Sequence, residues 1–445
     1  YPIRANHQIM KKILLLFSFF LFSHTAKSQN LYFPPLTGST WDTLSPTSLG
    51  WCTPMIDTLI DYLGSNDSKA FILLKDGKIV IEHYYGTFTK DSLWYWASAA
   101  KTLTAFTVGI AQQEGLLSIQ DTSSDYMGTG WTDCPLLKEQ KITIRNQLTM
   151  TTGLDDGVAD NHCTLDTCLQ YLADAGTRWA YHNAPYTLLD SVLESATGQS
   201  LNSYINAKIK VPTGMNGLFV PSSYDNLFVS TPRSMARFGL MILNHGNWNG
   251  TQIMTDTTYF NQMVNTSQNL NPSYGYLWWL NGKSSFMAPG FQFSFPGPIN
   301  PNGPSDLIMA LGKNGQMLNV VPSMNLVYLR MGNAPASGDV PIALNDSVWS
   351  LLNQIMCNTT ALAESVSPEF NVFPNPVKNT IQIRTDESDY SIQLFSLDGR
   401  LSMEKMGLSG DASVFVDALE PGVYILRFTN AKGYVQIKKI LIENK

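Results

Sequence analysis

The sequence predicts an α/β domain with a mainly antiparallel sheet and a helical region, followed by a small all-β sandwich. Two observations lead to this prediction. Strand-like runs flank a helix-rich middle of the chain, and residues 371–445 alternate apolar and polar side chains. The 445 residues are also too many for one ordinary hydrophobic core, so two structural units are expected.

The first domain, residues 45–358, opens with a predicted amphipathic helix at 52–64. In the stretch AFILLKDGKIVIEHYYG that follows, Asp76-Gly77 separates two β-rich runs and predicts a hairpin. Helical patterns then dominate from 98 to about 245, with Gly and Pro loops between them.

After Pro272 the composition shifts to strands, in the stretches YGYLWWL, DLIMALG and NLVYLRMG, and a last helix is predicted at about 341–356. Strands at both ends with helices between them favour one α/β unit. Six aromatic residues precede the last strands; most should be core and a minority could line an apolar acyl pocket. They are Trp278, Trp279, Phe286, Phe291, Phe293 and Phe295.

The N-terminal residues are interpreted as processing segments. Residues 10–28, MKKILLLFSFFLFSHTAKS, combine two lysines, an apolar stretch and small residues near the end, which is typical of a signal peptide. Residues 1–9 would be an upstream extension, and 29–44 an N-terminal extension of a mature chain that begins near Gln29. A transmembrane anchor is the alternative, although the apolar stretch is short for one.

Residues 359–370, TTALAESVSPEF, are predicted to be a linker, and residues 371–445 a β-sandwich. Three turn-forming pairs divide its strands. They are Asp398-Gly399, Pro421-Gly422 and Lys432-Gly433.

Export would allow disulfides among the five cysteines. Cys163 and Cys168 could close a small loop, and Cys52 and Cys357 could join the first and last helices. These pairings stay open, since four cysteines allow three connectivities. Cys134 would be left unpaired. A zinc site is the competing interpretation, but the chain has no Cys-x-x-Cys or His-x-x-x-His spacing to support it.

The first candidate for chemistry is Ser98 with Lys101, in WASAAKTLTAFTVGIAQQEG. Residues three apart share a helix face, so the hydroxyl and the ammonium can meet if the helix begins at the serine. The apolar run behind them predicts a buried helix, and burial lowers the pKa of a lysine toward values at which it accepts a proton. Ser-x-x-Lys also arises by chance, and Ser402 with Lys405 is a second copy.

The second candidate is Tyr181, His182 and Asn183, in a loop that enters a helix starting near Pro185. A tyrosine near a lysine can be ionised and serve as a general base, and an asparagine amide can bind a substrate carbonyl or amide.

The third candidate is Lys313, Asn314 and Gly315, between two short apolar strands. The cation could face an anionic or polarised substrate, and the glycine would let substrate approach the strand edge. Backbone N–H groups of Ser98 and Gln316 could then form an oxyanion hole. A simple β-turn is the alternative for this triplet.

These three motifs in this order resemble those of the serine beta-lactamase and penicillin-binding family. The resemblance covers about residues 45–357 and extends to ITIRNQLTMTTGL, STPRSMARFGLMILNHG and YGYLWWL. These stretches are similar to the branch with AmpC-like beta-lactamases, D-alanyl-D-alanine carboxypeptidases, serine esterases and 6-aminohexanoate-dimer hydrolases. The implied fold is beta-lactamase-like.

The resemblance implies that Ser98 attacks a carbonyl and becomes acylated, and that Lys101 and Tyr181 shuttle its proton to the leaving group. Asn183 would hold the acyl side chain. Tyr181 would activate the water for deacylation, since the chain has no Glu-x-x-Leu-Asn stretch of the kind that supplies a separate glutamate.

Two positions depart from the family pattern. The third motif is usually Lys-Thr-Gly or His-Thr-Gly, and Asn314 stands in place of the threonine. This weakens a beta-lactamase prediction relative to an esterase or amidase. His182 occupies a position often held by a small residue, where it would be a loop residue or would narrow the pocket.

The tail resembles the C-terminal sorting domain of the type IX secretion system, in FPNPVKNTIQI, LFSLDGRL, LEPGVYILRF and KKILIENK. The alternative is an adhesive or carbohydrate-binding sandwich. The resemblance implies export through the periplasm to the cell surface or medium, with the type IX machinery as a partner and cleavage of the tail.

The sequence therefore predicts a secreted serine hydrolase of small esters or amides, with D-alanyl peptides of peptidoglycan and β-lactams as alternatives. A non-catalytic surface binding module on the same scaffold is the alternative from another class. No metal or organic cofactor is implied. The net charge of −6, without a long basic run, argues against a nucleic-acid partner.

Overall fold

The computed structural model describes residues 31–333, 340–357, 370–396, 399–431 and 435–443. The predicted upstream extension and signal peptide lie outside the described residues. The same holds for residues 359–369 of the predicted linker. Within the described part of the chain, no helix is long and apolar enough to cross a membrane.

The first domain is built on a six-stranded sheet in the order β2-β1-β13-β12-β11-β8, in which every neighbouring pair is antiparallel. This confirms the predicted fold class. The strands of this domain are β1 Ser68–Lys75, β2 Lys78–Tyr84, β3 Trp94–Tyr95, β4 Leu218–Ser222, β5 Asp225–Ser230, β6 Asn247–Trp248, β7 Thr251–Gln252, β8 Trp279–Leu280, β9 Ser285–Met287, β10 Ser294–Pro296, β11 Ile308–Gly312, β12 Gln316–Val321 and β13 Leu326–Gly332.

Helices surround this sheet, and ten of the twelve described α-helices lie between β2 and β8. The α-helices are Pro54–Ser65, Lys101–Gln113, Ser124–Met127, Leu136–Glu139, Ile144–Leu148, Asn183–Thr187, Leu189–Thr197, Leu201–Ile205, Val211–Thr213, Pro232–Leu243, Thr257–Met263 and Ile342–Ile355. Shorter 3₁₀ turns are Pro46–Leu49, Ala97–Ala100, Asp166–Cys168, Lys313–Gly315 and Pro322–Met324, and Asn206–Lys210 is a π-helical turn.

Helices cover both faces of the main sheet. Helix Pro232–Leu243 packs closely on one face at Gly239, where an added Cβ would lie 2.6 Å from Val327 Cγ1. The next residue, Tyr328, points to the other face and hydrogen-bonds helix Ile342–Ile355. The domain therefore has three layers, with the sheet in the middle.

The disulfides agree with the predicted pairings. Cys52 is bonded to Cys357, which joins the segments flanking the first and last helices, and Cys163 is bonded to Cys168. Cys134 is a free thiol. Burial raises the pKa of the Cys134 thiol, which disfavours its reactive thiolate.

Two parts of the first domain differ from the sequence prediction. The stretch predicted as helical also contains β4 and β5, which form a separate three-stranded sheet with β3 in the order β3-β5-β4. The apolar stretch YGYLWWL contributes only β8, two residues long, to the main sheet. A short apolar run does not by itself distinguish a strand from other buried backbone.

The C-terminal domain is a β-sandwich, as predicted. One sheet has the order β14-β15-β18 and the other β17-β16-β19-β20, and residues of both share one apolar core. Its strands are β14 Asn371–Phe373, β15 Thr380–Arg384, β16 Tyr390–Ser396, β17 Leu401–Leu408, β18 Ala412–Phe415, β19 Gly422–Asn430 and β20 Val435–Ile442. Of the predicted turn residues, Asp398 and Lys432-Gly433 lie outside the described residues.

Candidate active site

The nucleophile candidate lies just before a buried helix. Ser98 belongs to the 3₁₀ turn Ala97–Ala100, and the α-helix starts at Lys101. The helical backbone therefore includes the serine, but its first turn is 3₁₀ and not α-helical. The pair still meets, because side chains three apart are eclipsed in a 3₁₀ turn. Ala97 has a positive φ of 46°, a strained backbone of the kind that occurs at functional sites.

Lys101 is buried, with 3% of its surface exposed. Its Nζ donates a hydrogen bond of 2.9 Å to Ser98 Oγ and one of 2.8 Å to Asn183 Oδ1. The same nitrogen lies 5.1 Å from the ring centre of Tyr181 and 4.1 Å from that of Tyr186. The polar atoms and aromatic faces together hold the ammonium in one position next to the serine hydroxyl.

Tyr181 is buried within an aromatic group. Its ring stacks on that of Trp279 with a centroid distance of 5.7 Å, and Trp179 and Tyr274 lie at 6.5 Å. Because rings pack on it from several directions, Tyr181 has little freedom to move away from Lys101. Trp279 is thus one of the predicted core aromatics, and it supports the site from behind.

Asn183 is the first residue of helix Asn183–Thr187, so the predicted helix starts two residues before Pro185. Both the oxygen and the nitrogen of its carboxamide form hydrogen bonds. Oδ1 accepts from Lys101, and Nδ2 donates to Asn161 Oδ1 at 3.1 Å and approaches His162 Nε2 at 3.2 Å. The carboxamide is therefore already engaged, and its first role in this geometry is to hold Lys101.

The third motif forms the turn Lys313–Gly315 between β11 and β12, as predicted. Asn314 has φ 61° and ψ 24°, the left-handed region that asparagine tolerates better than β-branched residues. Its Nδ2 donates a 2.8 Å hydrogen bond to the Tyr95 hydroxyl. The backbone at this position therefore explains why asparagine, and not threonine, occupies it.

Gly315 and Gln316 do not line the cavity, and the structure places them behind the turn. The buried Gln316 carboxamide donates to the carbonyls of Lys313 and Asn314 at 3.3 Å and of Gly332 at 2.6 Å. Its side chain therefore closes the turn and does not face a ligand. The oxyanion role of its backbone N–H stays a prediction.

Arg330 supports the same turn from the core. Its guanidinium donates to the Gly315 carbonyl at 2.8 Å and to the Asn314 carbonyl at 3.1 Å. Burial lowers the pKa of Arg330 to about 10, so the group is still charged at neutral pH. This residue was not predicted, because an arginine within an apolar strand has no local signature of function.

These elements enclose a cavity of about 290 Å³ that is open on one side. Ser98, Lys101, Tyr181, Asn183, Lys313 and Asn314 line it, so six of the eight predicted residues meet at one place. Lys313 is exposed and forms no ion pair with the described residues. The other lining residues are Tyr95, Ala97, His162, Tyr186, Asp225, Asn226 and Leu227.

His162 and Asp225, which were not predicted as site residues, lie next to each other on this cavity. His162 Nδ1 is 2.7 Å from Asp225 Oδ1. The two residues are 63 positions apart, and neither belongs to a recognised motif. The only available signal was the place of His162 directly before Cys163, in a loop predicted to be closed by a disulfide.

His182 is buried and does not line the cavity, so the alternative that it narrows the pocket is wrong. Desolvation lowers the pKa of His182 to about 4, which keeps its ring neutral at pH 7. Neither ring nitrogen has a hydrogen-bond partner within the described residues.

The four phenylalanines of the predicted cluster do not form an acyl pocket. Phe286, Phe291, Phe293 and Phe295 pack with one another and with Phe395 and Ile425 of the C-terminal domain. Gln292, from the same segment, donates to the carbonyl of Trp179 at 3.0 Å. The segment therefore links the C-terminal sandwich to the aromatic residues behind Tyr181. No metal-binding cluster of His, Cys, Asp or Glu occurs in the part of the chain that the structure describes.

Comparison with known proteins gives two family matches. The family model described as Beta-lactamase matches residues 65–348, and that described as secretion system C-terminal sorting domain matches residues 371–443. The first match alone covers more than half of the chain.

Individual proteins are also similar to this chain. An uncharacterized protein of Alkalihalophilus pseudofirmus is 27% identical over 62% of this chain and 85% of its own length. Penicillin-binding protein 4* of Bacillus subtilis is 26% identical over 36% of this chain, and the match spans only 40% of that protein. A solved structure assigned as a 6-aminohexanoate-dimer hydrolase from Bacillus anthracis covers 73% of this chain and 89% of its own, with 18% identity and a TM-score of 0.55, which supports the fold.

Proposed function

Because the chain belongs to the beta-lactamase family, we propose that it is a serine hydrolase that transfers an acyl group to water through an acyl-enzyme on Ser98. The observation that carries the proposal is the 2.9 Å hydrogen bond between the buried Lys101 ammonium and the Ser98 hydroxyl. A non-catalytic binding module would gain nothing from this arrangement, since burying a lysine is unfavourable.

In the acylation step, Ser98 Oγ attacks the substrate carbonyl, and Lys101 takes the Ser98 proton as it gives one of its own to an ionised Tyr181. Tyr181 then passes that proton to the leaving alcohol or amine. The Lys101 nitrogen near the Tyr181 ring supports a shared role for the two groups. The ester of Ser98 forms as the bond to the leaving group breaks. In deacylation, Tyr181 takes a proton from water, and the hydroxide attacks the acyl carbon. The bond to Ser98 Oγ then breaks, the acid leaves, and the proton returns from Tyr181 to Ser98 Oγ.

The backbone N–H groups of Ser98 and Gln316 are the proposed donors to the oxyanion. The contact between the Ser98 turn and Gly312, at the end of β11, supports this assignment, because it brings the strand edge beside the nucleophile. Lys313 is the proposed cation for a polarised or anionic substrate group, and Asn314 and Gly315 shape the turn that presents it.

A small ester or amide is the proposed substrate. The cavity of about 290 Å³ is at the small end of ligand pockets. Asn314 binds Tyr95 and offers no hydroxyl to a substrate carboxylate, which favours esters and amides over β-lactams and D-alanyl peptides. Those two classes remain the alternative, since two matched relatives carry the name of a penicillin-binding protein.

The C-terminal domain directs export by the type IX secretion system to the cell surface or outside. We propose that the tail is cleaved after transport and that the hydrolase meets its substrate outside the outer membrane. Residues 10–28 remain the proposed signal peptide for the preceding step into the periplasm.

The test is covalent labelling of the full chain. The purified protein is incubated with a fluorophosphonate and, separately, with a labelled penicillin, and the Ser98 peptide is examined by mass spectrometry. We expect a fluorophosphonate adduct on Ser98, and no adduct in the Ser98→Ala variant, which serves as the negative control. An adduct with the fluorophosphonate alone favours an esterase or amidase, and a penicillin adduct favours the alternative. No adduct with either reagent in a folded sample would leave the binding module as the better explanation.

A further inference from the structure

We propose that His162, held by Asp225, is a positioning residue that fixes the orientation of the Asn183 carboxamide and, through it, the Lys101 ammonium. This inference rests on the proposed function, because it assigns a role in the reaction at Ser98. It concerns a histidine in the disulfide-closed loop, outside the three motifs.

A continuous series of contacts joins Asp225 to the nucleophile. His162 Nδ1 lies 2.7 Å from Asp225 Oδ1, and His162 Nε2 lies 3.2 Å from Asn183 Nδ2. The opposite end of the same carboxamide accepts from Lys101 Nζ at 2.8 Å, and Lys101 donates to Ser98 at 2.9 Å. All five side chains lie on the cavity.

The donors and acceptors along this series allow one consistent arrangement. A charged Lys101 has only donors, so it requires the oxygen of the Asn183 carboxamide. The NH₂ end must then face His162 Nε2, which has to accept and therefore carries no proton. The ring proton of the neutral histidine is left on Nδ1, where it is donated to the Asp225 carboxylate.

The loop is built to keep His162 in this place. Its neighbour Asn161 accepts from Asn183 Nδ2 at 3.1 Å, and the Asn161 carbonyl accepts from the backbone N–H of Ala184 at 2.9 Å. Cys163, directly after the histidine, is in the disulfide with Cys168. The two protons on Asn183 Nδ2 thus have two acceptors, Asn161 Oδ1 and His162 Nε2. Both acceptors belong to the loop that the disulfide closes.

The alternative is an ordinary surface ion pair between His162 and Asp225. Their side chains are 44% and 31% exposed, and such pairs add little to stability. The two explanations predict different outcomes. Substituting a residue of a surface pair would change neither the stability nor the acylation rate by much. Substituting a positioning residue would lower the acylation rate and leave the stability almost unchanged.

The experiment measures the acylation rate constant of Ser98 by fluorophosphonate and by a p-nitrophenyl ester, together with the melting temperature. We expect His162→Ala to slow acylation by about 10- to 100-fold, since a misplaced catalytic group has effects of this size. His162→Gln, whose side-chain oxygen can still accept from Asn183, should lose less than His162→Ala. Asp156→Asn, which breaks the 2.6 Å ion pair with Arg178 near the same loop, is the matched control and should leave the rate unchanged.

A double-mutant cycle tests the direction of the coupling. Asp225→Ala should slow acylation in the native background and have little further effect in His162→Ala, because Asp225 acts through the histidine. Equal rates for His162→Ala and the native protein, with the native protein labelled at Ser98, would overturn this inference alone. Failure of the native protein to label would instead count against the proposed function.

Discussion

Gly312 lies directly against the backbone of Ser98: a Cβ added to the glycine would be 3.0 Å from the Ser98 nitrogen. The same added atom would lie 2.5 Å from the Trp96 carbonyl oxygen. The end of β11 therefore touches the turn that carries the nucleophile, and no larger residue fits there without moving one of them.

Gly312→Ala should consequently displace the Ser98 turn and lower the labelling rate of Ser98 by at least about 10-fold, since reactivity depends steeply on position. Fluorophosphonate labelling and a thermal melt measure the two consequences. Gly157→Ala is the matched control, because Gly157 is exposed and an added Cβ there would meet only the Asp155 side chain, at 3.1 Å. Unchanged labelling of Ser98 in Gly312→Ala would mean that the backbone can accommodate the added methyl group without displacing the nucleophile.

Lys101→Ala and Tyr181→Phe should each lower the hydrolysis rate by about 10²- to 10⁴-fold, the usual size of a general acid–base contribution. The melting temperature should stay nearly unchanged. The second Ser-x-x-Lys copy offers a control, since Ser402 lies in β17 of the sorting domain and Lys405→Ala there should leave activity intact. Extensive unfolding of Lys101→Ala would show instead that the lysine serves the fold.

Asn314→Thr would restore the threonine typical of the third motif, and we expect it to destabilise the protein. A β-branched residue at φ 61° costs about 1 to 3 kcal/mol of folding free energy, and the bond to Tyr95 would be lost. Asn314→Gly, which suits the same backbone, separates the two causes because it removes the side-chain bond without adding backbone strain. Denaturant unfolding measures both. Equal stabilities of the Thr and native proteins would contradict the backbone argument.

His182 should make the protein less stable in mild acid. Its pKa is lowered to about 4 by burial, so between pH 6.5 and 4 the unfolded chain binds a proton that the native protein does not. The unfolding free energy therefore falls as pH falls through that window, by a contribution on the order of 3 kcal/mol. His182→Phe has no such proton, so the difference between its unfolding free energy and that of the native protein should change with pH in this window. A parallel pH dependence of the two proteins would contradict this prediction.

Much of the fold and site could be read from the sequence because their signals are local. The Asp76-Gly77 hairpin, the last helix and the alternating strands of the sandwich follow from periodicity and turn chemistry within short windows. The placement of Ser98 beside Lys101 needs only a three-residue spacing on a helical turn. β4 and β5 form a local hairpin, but it lies within a stretch of helical patterns, and the pairing of β5 with β3 joins segments more than a hundred residues apart.

The sequence by itself determined the order of chemical groups: a serine and a lysine one turn apart, a tyrosine and an asparagine before a later helix, and a lysine in a late turn. Only the tertiary structure decided which side chains face the cavity. It turned Gln316 inward to close a turn, buried His182 away from the site, and brought His162 and Asp225 to Asn183. The reason is physical, because contacts between distant segments depend on how sheets and helices pack and leave no periodic trace in either segment.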